Sequence, residues 1–128
     1  AQSSAEEVSF ADFRPYAPSA DAPASFIGRP VDDENGKRIG VLIYQMPVAK
    51  LNALLADEKG LGEQGRMFLL GADYLARNDV RFAKESTILK LKMETPEVKE
   101  ALAGKSGVSL DTLDEHGDHT IVAYAPYK

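Results

Sequence analysis

From Arg38 to Met46 the chain places Ile39, Val41 and Ile43 on one side and Leu42, Tyr44 and Met46 on the other. A period of two is the signature of a strand, and apolar residues on both faces predict a strand covered from both sides. Asp32-Asp33-Glu34-Asn35-Gly36-Lys37 precedes it, and Asn-Gly is a strong hairpin turn because both positions tolerate positive φ. Ser25 to Val31 is the predicted partner strand, with Pro30 placed at an edge or a strand end. Val8 to Phe13 predicts a further short strand, with Val8, Phe10 and Asp12 on one face. Arg14 to Ala24, with three prolines, reads as a loop.

The period then changes. Pro47 suits a first helical turn, and Val48, Leu51, Leu54 and Leu55 form the stripe of an amphipathic helix ended by Gly60 and Gly62. Arg66 to Gly71 is a short apolar run that predicts a buried strand. Ala72-Asp73 form a turn, and Tyr74 to Asn78 returns as a second strand. Asp79 to Lys92 is mixed and irregular. Thr95-Pro96-Glu97 is a helix start, combining a capping hydroxyl, proline at the first helical position and a carboxylate at the positive end of the dipole. Val98, Ala101 and Leu102 give that helix its buried stripe, and Gly104 stops it. Gly107 to Leu113 and Thr120 to Pro126 read as strands joined by a turn at 115–118. The small polar residues 1–7 form a frayed start. The fold class expected is α+β, a mainly antiparallel sheet with helices packed on one face, in one domain spanning 1–128.

Composition narrows the function. The chain has 128 residues, 44% hydrophobic and 27% charged, which suits one globular domain. A net charge of -5 and the lack of a dense Lys/Arg block argue against a nucleic-acid partner. There is no cysteine, so disulfides, thiolate nucleophiles and Cys-ligated metals are excluded. No apolar run approaches the ~18 residues of a membrane span, and no signal peptide is visible.

Few residues invite chemistry. His116 and His119 are the only histidines. Their spacing could hold a metal, but Gly117 between them favours a solvated hairpin tip, and metal-assisted hydrolysis there is the weakest reading. Gly60 to Gly65 fits Gly-x-Gly-x-x-Gly but precedes a strand, so the pyrophosphate-binding geometry is missing. Arg77, Asp79 and Arg81 could clamp a small anion, although a structural network in which Asp79 neutralises both arginines is the favoured reading. Tyr44, Phe68, Tyr74 and Tyr124 suit a core or a pocket wall. These seven residues are the candidate ligand-binding set. No catalytic residue, metal ligand or cofactor is assigned, and the expectation is a protein that is not an enzyme.

Taken in order, several short motifs resemble a known family. They are Phe13-Arg14-Pro15-Tyr16-Ala17-Pro18-Ser19, Pro23-Ala24-Ser25-Phe26-Ile27-Gly28, Ile39-Gly40-Val41-Leu42-Ile43-Tyr44-Gln45-Met46-Pro47, and 60–71 (GLGEQGRMFLLG). Leu75-Ala76-Arg77-Asn78-Asp79-Val80-Arg81-Phe82 and Ala101-Leu102-Ala103-Gly104-Lys105-Ser106-Gly107 complete the series. From Phe10 to Lys128 it resembles the periplasmic Cache (PAS-like) sensor region of bacterial methyl-accepting chemotaxis proteins. Similar regions occur in membrane-bound histidine kinases and nucleotide cyclases. The resemblance implies an extracytoplasmic domain of an inner-membrane receptor, binding a small molecule of the amino-acid or organic-acid class and signalling to cytoplasmic parts. The rival expectation is a structural or dimerisation module without a ligand. The strand count departs from the family's usual pattern, which suggests an excised piece of a larger receptor with an open sheet edge. That edge leads to an expected homodimer, with the Arg38–Met46 strand filling a gap in a neighbour's sheet by strand exchange.

Overall fold

A computed structural model describes residues 8–56, 59–114 and 117–127. The architecture is α+β, with two antiparallel sheets and two α-helices. The first sheet has the order β1-β2-β3, with β1 Ser9–Tyr16, β2 Ala22–Asp32 and β3 Arg38–Gln45. Helix α1 is Val48–Leu55 and helix α2 is Pro96–Leu102. The second sheet is a hairpin of β4 Gly107–Leu113 and β5 His119–Tyr124, and α2 lies against β5.

The expected loop over 14–24 is instead largely strand. β1 runs through Pro15, β2 begins before Pro23, and a short 3-10 turn at Ala17–Ser19 joins them. Ala20 and Asp21 take left-handed conformations to close the turn. The prolines do not break the ladder because they face each other, Pro15 against Pro23. A wide, non-hydrogen-bonded pair asks neither nitrogen for a proton.

One irregularity in β1 organises the first sheet. Ala11 pairs with Phe26 and Arg14 with Ala24, so Asp12 and Phe13 together face the single residue Ser25. Such a bulge bends the strand and re-aims its side chains. Phe13 turns inward and is buried, with Ala24 and Ser25, while Asp12 turns toward the 66–93 segment.

The strands expected at 66–71 and 74–78 do not form a ladder. Isolated bridges, Leu70 with Ala76 and Leu75 with Lys92, are what remains of them. Leu69 and Gly71 still bond Arg77 and Leu75 through the backbone, and beyond them the pairing gives way to Asn78, which is fully buried. Its carboxamide oxygen accepts the Leu69 N–H at 2.8 Å, and its nitrogen donates to the Met67 carbonyl at 3.0 Å. A side chain thus takes the place of a neighbouring strand, satisfying backbone groups that could not be buried unpaired. Positive φ at Tyr74 turns the chain where the second strand is expected to begin, and positive φ at Phe82 and Leu89 accompanies the irregular path expected over 79–92.

Both helices are shorter on their apolar faces than the spacing predicts. Val48, Leu51 and Leu55 are half-buried but Leu54 is exposed, and on α2 Val98 and Ala101 are half-buried while Leu102 is exposed. The α2 start is as expected: Thr95 Oγ1 accepts the Val98 N–H, and Pro96 and Glu97 fill the first turn. The larger difference is β3. Expected to be covered on both faces, it is exposed at every residue, with Ile39, Val41, Leu42 and Ile43 all 60% or more accessible.

Candidate functional site

Ala76, Arg77, Asn78, Val80 and Ile88 are buried, so the segment after Leu75 forms the densest part of the described molecule. It is held by polar side chains. Thr87 Oγ1 accepts the Val80 N–H at 3.0 Å and donates to the Asn78 carbonyl at 2.8 Å, folding the chain back on itself.

Arg77 is buried and fully engaged by two carboxylates. Its Nε and Nη2 donate to Asp12 at 2.9 and 2.7 Å, and Nη2 also lies 2.9 Å from Asp73. Nη1 donates to the Leu75 carbonyl at 2.8 Å. The hydrogen bond from Arg77 holds the Asp12 carboxyl below its ordinary range, against the opposing effect of burial. The same contact with Asp12 raises the Arg77 guanidinium. The bidentate fork is the strongest geometry available to this pair.

Asp79 does not neutralise Arg77, contrary to the expected network. It anchors α1. Asn52 Nδ2 donates to Asp79 Oδ2 at 2.7 Å, and Asn52 Oδ1 accepts the Asp79 N–H at 2.9 Å. The other carboxylate oxygen accepts the Thr87 N–H at 2.9 Å. Burial pushes the Asp79 carboxyl up, but donors from Ser86, Thr87, Asn52 and Ile88 outweigh it and hold the value low. Both oxygens are thus engaged by amide donors, which makes this carboxylate a poor proton acceptor.

Beside this anchor is a cleft of about 250 Å³. Its wall includes Asn52 and Leu55 of α1, Leu61, Met67, Asp79 and Arg81. Arg81 Nη1 donates to the Gly62 carbonyl at 2.9 Å, fastening the 61–65 turn, and its guanidinium sits 4.6 Å from the centre of the Phe82 ring. Gly65 permits that turn, since a Cβ there would fall 2.1 Å from the Leu61 carbonyl oxygen. A wider, more open depression of about 420 Å³ is lined by Glu63, Gln64, Arg66 and Phe82.

Of the seven residues expected to contact a ligand, Asp79 and Arg81 line the cleft. Arg77 is taken up by Asp12 and Asp73. Tyr44 is exposed on β3, and Tyr124 on β5 donates its hydroxyl to Glu100 of α2. Phe68 and Tyr74 are half-buried elsewhere in the 66–93 segment, with the Lys92 ammonium 5.8 Å from the Tyr74 ring centre. Asn52, Leu55 and Leu61 are wall residues the sequence reading missed. Asn52 carried one signal: a carboxamide beside Leu51, next to the apolar stripe of α1, needs a partner once that face is covered. Among the titratable candidates, His116 lies outside the described residues, and His119 is exposed beside Asp111. The chain was compared with protein-family models, curated proteins and solved structures, and none of them matches it.

Proposed function

We propose that this chain is the extracytoplasmic small-molecule-sensing part of a membrane-anchored bacterial receptor, of the Cache (PAS-like) chemoreceptor type. The observation that carries the reading is the cleft between α1, the 61–67 turn and the Asp79–Arg81 segment. A helix is tied to that segment through the Asn52–Asp79 pair, so a molecule wedged between them bears directly on the position of the helix. The ordered motif series from Phe13 to Gly107 supplies the receptor context. At about 250 Å³ the cleft is smaller than a drug-sized pocket and suits a molecule on the scale of an amino acid or a short organic acid. Its apolar lining from Leu55, Leu61 and Met67, with polar tips at Asn52, Asp79 and Arg81, is the usual composition of such a site.

A thermal-shift screen of amino acids and small organic acids tests this. A ligand selective for the folded state raises the melting temperature by mass action, by about 2.7 kcal/mol of stability at a hundred times Kd. Leu61→Trp, which fills the cleft, should abolish the shift. A stabiliser that still acts on the filled variant would contradict the cleft as its site.

The rival reading, a dimerisation module of a histidine kinase or nucleotide cyclase, is favoured by one observation, the uncovered β3 strand. It predicts no stabiliser in the screen and an unchanged melting temperature.

A further inference from the structure

Ala83 donates its N–H to the Val80 carbonyl at 3.1 Å, closing a tight turn with Arg81 and Phe82 at its two central positions. Phe82 has φ 72°. That is the left-handed region which the third position of a type II turn demands, and which Gly or Asn ordinarily fills. A bulky residue there is an outlier. Burial does not offset the strain, because Phe82 is 63% accessible. Strain held without packing points to a task for the side chain.

The contact of the ring shows the task. Arg81 lays its guanidinium 4.6 Å from the centre of the Phe82 ring. Nη1 of the same guanidinium donates to the Gly62 carbonyl at 2.9 Å and reaches the Gly65 carbonyl at 3.4 Å. A planar guanidinium resting on a ring face loses rotational freedom, so the ring keeps Nη1 aimed at these two carbonyls.

The turn held in this way is a partition. Leu61 and Gly65 line the cleft of about 250 Å³, whereas Glu63 and Gln64 line the depression of about 420 Å³, and Arg66 borders both. The turn is closed on itself by the Gly65 N–H, which donates to the Leu61 carbonyl at 3.0 Å. Gly60 precedes it at φ 86°, with open space where a Cβ would stand, so the backbone there is free to swing.

We propose that the 61–65 turn is a flap between the cleft and the depression, that Arg81 is its latch, and that Phe82 is the positioning residue that keeps the latch in aim. When Nη1 leaves the two carbonyls, the flap swings about Gly60 and the two spaces join. That opening is the route by which a small molecule enters the cleft. The latch stands on the geometry of the turn, and only its use to admit a metabolite rests on the sensing reading.

Amide hydrogen exchange of the full chain tests the latch, with the Gly65 N–H as reporter. Phe82→Leu keeps a bulky side chain but has no ring face, and it should lower Gly65 protection about fivefold. Phe82→Tyr should restore it. Phe82→Gly relieves the backbone and should loosen Gly65 as much as Phe82→Leu, without lowering the urea midpoint. Arg81→Gln should lower the protection at least tenfold, since bonds from a charged donor are lost as well. The gate is tested with iodoacetamide on Leu55→Cys, a cleft-wall position in a chain with no other cysteine. Adding Phe82→Leu should speed its labelling about fivefold. Unchanged Gly65 protection in Phe82→Leu, or a Phe82→Tyr variant as loose as Phe82→Leu, would overturn the latch. Protection that merely followed the urea midpoint across the variants would overturn it too, because Phe82 would then act on the whole fold. Faster exchange with unchanged labelling would overturn the gate. No readout uses a metabolite, so an empty ligand screen would count against the sensing reading and leave the latch standing.

Discussion

Arg77 grips Asp12 side-on, two nitrogens to two oxygens, at a sequence separation of 65. The guanidinium side chain is 6% accessible and the carboxylate 43%. This pair fastens the bulge of β1 to the buried 76–80 segment, and so ties the first sheet to the wall of the cleft.

Asp12→Asn should therefore destabilise the fold. Removing one partner of a fully buried pair costs about 3–5 kcal/mol. Asp12 is partly solvated and Asp73 still contacts Arg77, so a loss of about 2 kcal/mol is expected in urea titration. Asp73→Asn, which leaves the fork intact, should cost about half as much.

Acid should act through the same carboxyls. Asp12 and Asp79 both have folded values below the ordinary 3.8, so the unfolded chain binds protons more readily. Their contribution is fully present above that value and is lost as the pH falls through the lower folded values. Denaturation followed from neutrality downward should show stability steady to about pH 4 and declining below it. In Asp12→Asn the decline should be shallower.

Asn52 gives a sharper test of the cleft. Asn52→Ala removes both hydrogen bonds to Asp79 and should cost about 2 kcal/mol. Asn52→Asp should cost more, because it sets a second carboxylate against one held ionised. If the two variants were equally stable, the Asn52–Asp79 contact would not be what anchors α1.

Ser25 should behave in the opposite way. Its side chain is fully buried opposite the bulge, and its hydroxyl has no hydrogen-bond partner among the described residues. Ser25→Ala removes an uncompensated desolvation penalty and should raise stability by about 1 kcal/mol. A loss of similar size would mean that the hydroxyl is satisfied in solution.

Local signals carried much of this fold. Asn35-Gly36 marked the β2–β3 hairpin, and Gly36 does take positive φ. Thr95-Pro96-Glu97 marked the α2 start. What was hidden depended on partners distant in sequence. Prolines at 15 and 23 read as breakers until they are seen facing each other, and the apolar run at 66–71 read as a full strand until Asn78 is seen taking the bonds of Met67 and the Leu69 N–H. The site followed the same rule. The density of charge at 77–81 was legible, but the partners of each charge were not, because Asp12 and Asn52 lie far upstream. The uncovered β3 was also beyond sequence patterning, since alternation reports which faces are apolar and not what covers them.

The central claim, that a small metabolite occupies the cleft against α1, is tested most directly by amide chemical-shift mapping. The chain is titrated with whichever amino acid or organic acid stabilises it most. Saturable shifts concentrated at Asn52, Leu55, Leu61, Asp79 and Arg81 are predicted, and Leu61→Trp should erase them. Shifts centred on other residues, or none with any compound of those classes, would contradict the account.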